Sequence, residues 1–321
     1  MTVFFSIILC IIAALLFYFH LARRYNITDV PNARSSHRKA TIRGAGIIFP
    51  LAALLWFFFN HFSQPWMILG LLIIAIISFT DDLVTLPGRW RLLAQAIATA
   101  LMFFQAGILG LPWYLMIPAF IITLGWINGF NFMDGINAIT PFYSVVALGS
   151  FIYLNYNVRF VPPELPYFLT FSVVIFSFFN ARKNALAFAG DVGSVSMAYL
   201  LAFLMLALVM KTGRYEYILF FSIYALDIVF TILYRLMRHE NIFKAHRSHL
   251  YQWLSNEIGW PHVLVSLLYA LVQLIINILV IILIYNGLMN TGIFAGIAAG
   301  LAVTYLLLRA LVRKKVRLER I

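Results

Sequence analysis

A chain of 321 residues in which 63% are hydrophobic and only 11% charged, with a mean hydropathy of +0.94, is too apolar for a water-soluble globule, whose apolar share lies near one half. The net charge of +12 raises nucleic-acid binding, but basic residues on a membrane protein first report orientation and contact with anionic headgroups, so no nucleic-acid partner is expected. The single cysteine, Cys10, excludes an intramolecular disulfide and a Cys-rich metal centre, which leaves oxygen or imidazole to hold any metal.

Apolar stretches of helical length fall at about 2–22, 44–60, 65–80, 91–110, 112–127, 138–155, 165–180, 192–210, 215–237, 262–286 and 291–312. They predict an all-α, polytopic membrane protein of about eleven transmembrane helices, with residues 1–321 forming one domain. The first stretch has no positive segment before it and is longer than a typical signal peptide's apolar core, so a retained helix is expected. Several stretches are shorter than the roughly 20 residues of a full crossing, which leaves a re-entrant pair open. Counted on alternating sides, the loops carry Lys plus Arg in a ratio of 20 to 3. By the positive-inside rule the richer side is cytoplasmic, the N-terminus outside and the C-terminus inside.

The polar motifs all fall on that richer side. The first loop, RRYNITDVPNARSSHRKATIRGAG over 23–46, carries Arg34, His37, Arg38, Lys39 and Arg43, with Gly44 and Gly46 permitting close backbone approach. The third stretch ends on Asp81 and Asp82, two adjacent carboxylates that repel unless a cation or shared proton relieves them. Ionised groups at membrane depth tend to mark a substrate or ion pathway; the competing reading is a pair of solvated residues capping the next helix. Removing either charge as Asn is expected to cost turnover while leaving stability nearly unchanged.

In NGFNFMDGIN, Asn128, Asn131, Asp134 and Asn137 recur every three residues. An α-helix smears that spacing over half its surface, whereas a 3₁₀ turn aligns it. GDVGS at 190–194 opens the eighth span, where Asp191 and Ser194 are candidate caps and free backbone amides suit a phosphate. Asp227, inside the ninth span, is expected to be a buried hydrogen-bonded partner rather than a catalytic group. In the long loop 238–261, Phe243, Leu250, Trp253, Leu254 and Ile258 predict an interfacial amphipathic helix. It would set His246 and His249 on one face; zinc is one use, but the neighbouring Lys244 and Arg247 favour an anion such as pyrophosphate.

Taken in order, PNARSSHRKATIRGAG, DDLVTLPGRWRLLAQ, NGFNFMDGIN, FAGDVGS and AHRSHLYQ resemble the polyprenyl-phosphate N-acetylhexosamine-1-phosphate transferases, glycosyltransferase family 4, over about residues 29–252. The resemblance implies transfer of a sugar 1-phosphate from a UDP-N-acetylhexosamine to polyprenyl (undecaprenyl) phosphate at the cytoplasmic face of a bacterial inner membrane, with Mg2+ (or Mn2+ in its place) and release of UMP. It further implies that Asp81 and Asp82 bind or activate the acceptor phosphate and act as the catalytic pair, and that Asn137 and Asp191 hold the metal. Asn131 and Asp134 would belong to the nucleotide site, and His246, Arg247 and His249 to the loop that grips the donor. The family's peptidoglycan branch has three consecutive histidines in that loop; HRSHLYQ looks more like the branch that initiates O-antigen chains. Ala45 stands where many members have glycine. The sugar is not specified, and a homodimer is left open. The rival is a transporter of nucleotide sugar or anionic lipid, although transporters keep their coupling groups near the bilayer midplane.

Overall fold

The computed structural model describes residues 2–29, 40–241 and 247–318. Helix occupies all eleven predicted stretches: α1 (Thr2–Arg24), α2 (Ile48–Phe59), α3 (Pro65–Leu83), α4 (Gly88–Gln105), α5 (Trp113–Met133), α6 (Ile139–Val158), α7 (Glu164–Asn180), α8 (Gly190–Thr212), α9 (Ser222–Met237), α11 (His262–Tyr285) and α12 (Thr291–Leu318). The short α10 (Leu250–Gln252) lies between α9 and α11. Proline marks several starts, at the first position of α3 and at the N-caps of α4, α5, α7 and α11; there its missing N–H is no loss. Gly213, at φ 68°, ends α8.

Among the described residues, seven helical segments are long and apolar enough to cross a membrane, those beginning at Phe5, Pro65, Trp113, Gly190, Tyr215, His262 and Thr291. α2, with its 3₁₀ lead at Ala45–Ile47, and α7 are apolar but shorter. The predicted amphipathic helix over 243–258 is cut down. Helix starts only at Leu250 and widens into a π turn at Trp253–Glu257, because His249 is extended (ψ 149°) and takes the N-cap position. Residues 242–246 lie outside the described part.

α8 is the central helix, with 83% of its most apolar window buried inside the protein. Lipid tails are as apolar as leucine, so packing and polar contacts, not hydrophobic expulsion from water, hold such a helix in place. Tyr199 donates to the carbonyls of Met67 on α3 (3.0 Å) and Ala98 on α4 (3.3 Å), and Trp126 on α5 donates to the Ala198 carbonyl at 3.0 Å. Residues 41–46 run beside 187–189, with Phe188 N on Ile42 O (2.8 Å), Ala45 N on Phe188 O (3.0 Å) and Gly46 N on Ala189 O (3.0 Å). The approach requires glycine: a side chain on Gly46 would start inside the Gly193 backbone. Two-residue strands β1 (Thr28–Asp29) and β2 (Thr41–Ile42) pair antiparallel and close the first loop beside this contact.

Gly46→Ala is therefore expected to lower stability by about 1–3 kcal/mol, as overpacking does. Gly125→Ala on α5, where nothing lies within 4 Å of the added methyl, is expected to be neutral or to gain up to about 1 kcal/mol. Thermal unfolding in detergent distinguishes them, and equal shifts would contradict the close approach.

Candidate active site

Asp81 and Asp82 form the last turn of α3 and are both buried, at 8% and 9% exposure. They are not solvated loop residues. Asp81 accepts from Leu86 N (2.6 Å), holding the turn into α4, and from Arg91 Nη1 (3.0 Å) on α4. Asp82 accepts from Arg43 Nε (2.7 Å) and from the backbone amides of Asp191 (2.9 Å) and Val192 (3.0 Å). It is thus the N-cap of α8, supplied from another helix 109 residues away in sequence. The two amides expected to face a phosphate are already occupied. Gly190 makes the fit possible. Its φ is +71°, and a Cβ there would stand 2.5 Å from Asp82 Oδ2 and 2.8 Å from Gly44 Cα.

Asp191 completes the cluster, with Arg43 Nη2 at 3.7 Å from one oxygen and Arg91 Nη2 at 3.7 Å from the other. Each arginine spans two carboxylates, and three carboxylates face two guanidiniums. Arg43 and Arg91 had no singular mark in the sequence. Arg91 read as one more positive-inside residue, and only its pairing with Asp81 across the PG turn discloses its use.

The spacing of three in NGFNFMDGIN does not make a 3₁₀ turn. α5 stays α-helical to Met133, so the polar groups diverge and each finds its own neighbour. Asn128 donates to Gln95 Oε1 at 2.6 Å. Asn131 Oδ1 accepts from Ser194 Oγ on α8. Asp134 ends α5, and Asn137 donates through Nδ2 to the carbonyl of Arg182 at 2.7 Å, while its own carbonyl accepts from Ser266 at 2.7 Å. Burial pushes the Asp134 carboxyl up to about 6, and the nearby Asp82 charge adds to this.

Of the three residues expected to grip a donor, His246 lies outside the described part and Arg247 is half-buried. His249 is buried at 2% exposure, with Nδ1 3.2 Å from Asp227 Oδ1. Tyr251 donates to the Phe132 carbonyl at 2.8 Å and packs on Gly135, which ties this loop to the Asp134 turn. Burial pushes the Tyr251 hydroxyl up, the Asp227 and Asp134 carboxylates add to the effect, and the Arg247 guanidinium opposes it. The structure therefore brings Asp81, Asp82 and Asp191 together directly. Asn131 joins them through Ser194, Asp134 lies within reach of Asp82's charge, and Tyr251, two residues after His249, contacts the turn that holds Asp134. Among the described residues no group of three or more His, Cys, Asp or Glu forms a metal site on its own.

The stability expectation for Asp82 changes with this geometry. Asp82→Asn leaves Arg43 without its charged acceptor and one α8 amide without any acceptor, a loss of about 1–3 kcal/mol, held below that of a fully buried pair because 34% of the Arg43 side chain stays wet. Asp81→Asn is expected to cost less, and both should lose most of their turnover; thermal unfolding alongside activity checks the order. For Asp134, an unfolded pKa of about 3.9 against a folded value of about 6 means that its protonated form stabilises the fold below about pH 4 and that this is lost as pH rises through about 6. Asp134→Asn should remove this component, so that the melting-temperature difference, variant minus wild type, grows between about pH 4 and 7.

Residues 65–209, from α3 through most of α8, match the sequence profile of glycosyl transferase family 4. The chain is also 26% identical over 261 residues to the undecaprenyl-phosphate alpha-N-acetylglucosaminyl 1-phosphate transferase of Thermotoga maritima, an alignment covering 78% of this chain and 80% of that protein. Both matches contain the α3 carboxylates and the start of α8 around which the cluster is built. In its motifs, its geometry and these matches, the chain is similar to glycosyl transferase family 4 and to an undecaprenyl-phosphate sugar 1-phosphate transferase.

Proposed function

We propose that the protein moves N-acetylhexosamine 1-phosphate from a UDP-sugar to undecaprenyl phosphate on the cytoplasmic face of a bacterial inner membrane, releasing UMP and starting a lipid-linked O-antigen or related surface polysaccharide. The observation that carries this reading is the cluster of Asp81, Asp82 and Asp191 with Arg43 and Arg91, with Asn131 bonded to Ser194 on the first turns of α8 and Asp134 within reach of Asp82's charge. Arg43 and Arg91 keep 34% and 30% of their side chains exposed, and guanidinium groups bind phosphate oxygens in pairs. The 20 to 3 split of basic residues supports the orientation.

Both substrates are anions meeting a site whose carboxylates outnumber its guanidiniums, so a divalent cation is needed to offset repulsion. The residues fit magnesium. Asp191 is the most exposed of the three carboxylates, at 20% of its side chain against 6% and 0%, and its arginine contacts are the longest. Asn137 has its amide nitrogen tied down, and no described residue hydrogen-bonds its Oδ1. A hard cation that keeps water and substrate phosphate in its shell needs few such oxygens. When bound, magnesium supplies charge neutralisation across the pyrophosphate. Asp81 and Asp82 fix Arg43, Arg91 and the start of α8, which orient the acceptor phosphate. An acceptor oxygen attacks the sugar-bearing phosphorus, the bond from that phosphorus to the bridging oxygen breaks, and UMP leaves with that oxygen. The acceptor, with a second pKa of roughly 6 by analogy with protein phosphates, is largely a dianion at neutral pH and needs no strong base. His246, Arg247 and His249 belong to the donor side.

The test incubates purified protein with polyprenyl phosphate, Mg2+ and a panel of UDP-sugars, weighing the lipid products and measuring UMP. The expected result is one lipid pyrophosphate sugar with equimolar UMP; intact nucleotide sugar would point to a transporter instead. Asp191→Ala should abolish activity, whereas Asn137→Ala should leave a residue of it that rises with added Mg2+ or Mn2+. Full wild-type turnover in excess chelator would overturn the metal assignment.

A further inference from the structure

Asp227 lies within an apolar helix and is completely buried, yet its carboxylate meets six donors. Oδ1 lies 3.2 Å from His249 Nδ1, 3.0 Å from Leu250 N, 3.3 Å from Thr231 Oγ1 and 3.0 Å from Tyr305 Oη. Oδ2 lies 3.4 Å from Tyr251 N and 2.8 Å from Tyr269 Oη. Three of the six come from consecutive residues, 249–251, of the loop that follows Arg247. The residue before them is held as well: Arg309 on α12 donates to the Ser248 carbonyl at 2.9 Å and to Tyr305 Oη at 2.8 Å. Its guanidinium sits 4.6 Å from the centre of the Trp253 ring. Four successive residues, 248–251, are thus fixed by one carboxylate and one guanidinium, three of them through the backbone and His249 through its ring, and a further contact, Tyr251 to the Phe132 carbonyl, reaches the Asp134 turn.

A buried charge array is a poor way to gain stability alone, because apolar side chains of equal volume do as well or better. Its geometric specificity is what apolar packing lacks. We propose that Asp227 is the positioning residue of the 247–252 loop, with Arg309 as the second anchor, so that affinity for the donor's pyrophosphate is set by two groups that touch no substrate. The proposal rests on the reading of that loop as the donor grip. It makes α12, a helix outside the matched motifs, part of the donor site.

The test uses the full chain in detergent or nanodiscs, with Asp227→Asn, Tyr305→Phe and Arg309→Met. Tyr305→Phe keeps the ring and its packing, so it carries the test if either charge variant does not accumulate folded. Two readouts are taken on folded protein: hydrogen exchange of peptides covering 247–252, and separate KM values for UDP-sugar and polyprenyl phosphate. Exchange in that loop should quicken in every folded variant. Donor KM should rise about tenfold or more for Asp227→Asn, as loss of a charged hydrogen bond predicts, and about threefold to tenfold for Tyr305→Phe. Acceptor KM should stay within about twofold. A loosened loop with unchanged donor KM, an unloosened loop, or equal increases in both KM values would each overturn the proposal. Failure of the wild type to use any UDP-sugar would instead overturn the function proposed above, while the exchange result would still report on the anchor.

Discussion

The first turn of a helix leaves backbone amides without partners, and at α8 two of these amides are met by Asp82 from the end of α3. The same carboxylate carries Arg43, which reaches Asp191. Arg91 closes the circuit from Asp191 to Asp81. A helix start, two partly exposed guanidiniums and the least buried of the three carboxylates are therefore fixed by one connected network. Few alternatives exist in a membrane, where no water satisfies an exposed amide and a lone charge is expensive. Around this point the bundle relies on small residues and directed hydrogen bonds: glycine against glycine where residues 44–46 meet α8, and Tyr199 and Trp126 binding that helix to its neighbours.

The two charged clusters, at α8 and at Asp227, differ in their chemistry. The cluster at α8 is partly wet and has one more carboxylate than guanidinium, which suits cations and phosphates that come and go. The array at Asp227 is dry, with every oxygen of the carboxylate engaged, which suits a fixture. The first arrangement leaves donors and acceptors open to exchange, and the second holds a stretch of backbone in place.

The architecture was legible because its signals are one-dimensional. Apolar runs of helical length gave the eleven helices, and the order of the polar motifs gave a family that the sequence matches bear out. Asp227 as a buried partner was also legible, since a lone carboxylate within an apolar helix has few other fates. What escaped was pairing across the chain. Asp82 as the cap of α8 joins positions 82 and 191, and nothing local marks that link. Arg309 appeared to be one of the terminal positive-inside residues, yet it turns inward to Ser248 and Trp253. The 3₁₀ expectation for NGFNFMDGIN failed because the side chains found separate partners, Asn128 on α4, Asn131 on α8 and Asn137 at the Arg182 carbonyl after α7, so no alignment was required. The expected pair of histidines on one helix face failed because His249 is drawn to Asp227 before the helix begins.

The passage of residues 41–46 alongside 187–189 has a consequence for biogenesis. The ladder from Ile42 to Ala189, the seating of Gly46 on Gly193 and the Asp82 cap are made by segments that leave the ribosome far apart in time. Until α8 has entered the bilayer, Asp82 has no amides to accept and Arg43 has no second carboxylate to span. Until then Asp82 keeps Arg43 as its partner and Asp81 keeps Leu86 N and Arg91, while the α8 share of the network waits. The cluster at α8 is therefore complete only once the eighth helix is in place, and the anchor at Asp227 only once α12 has followed.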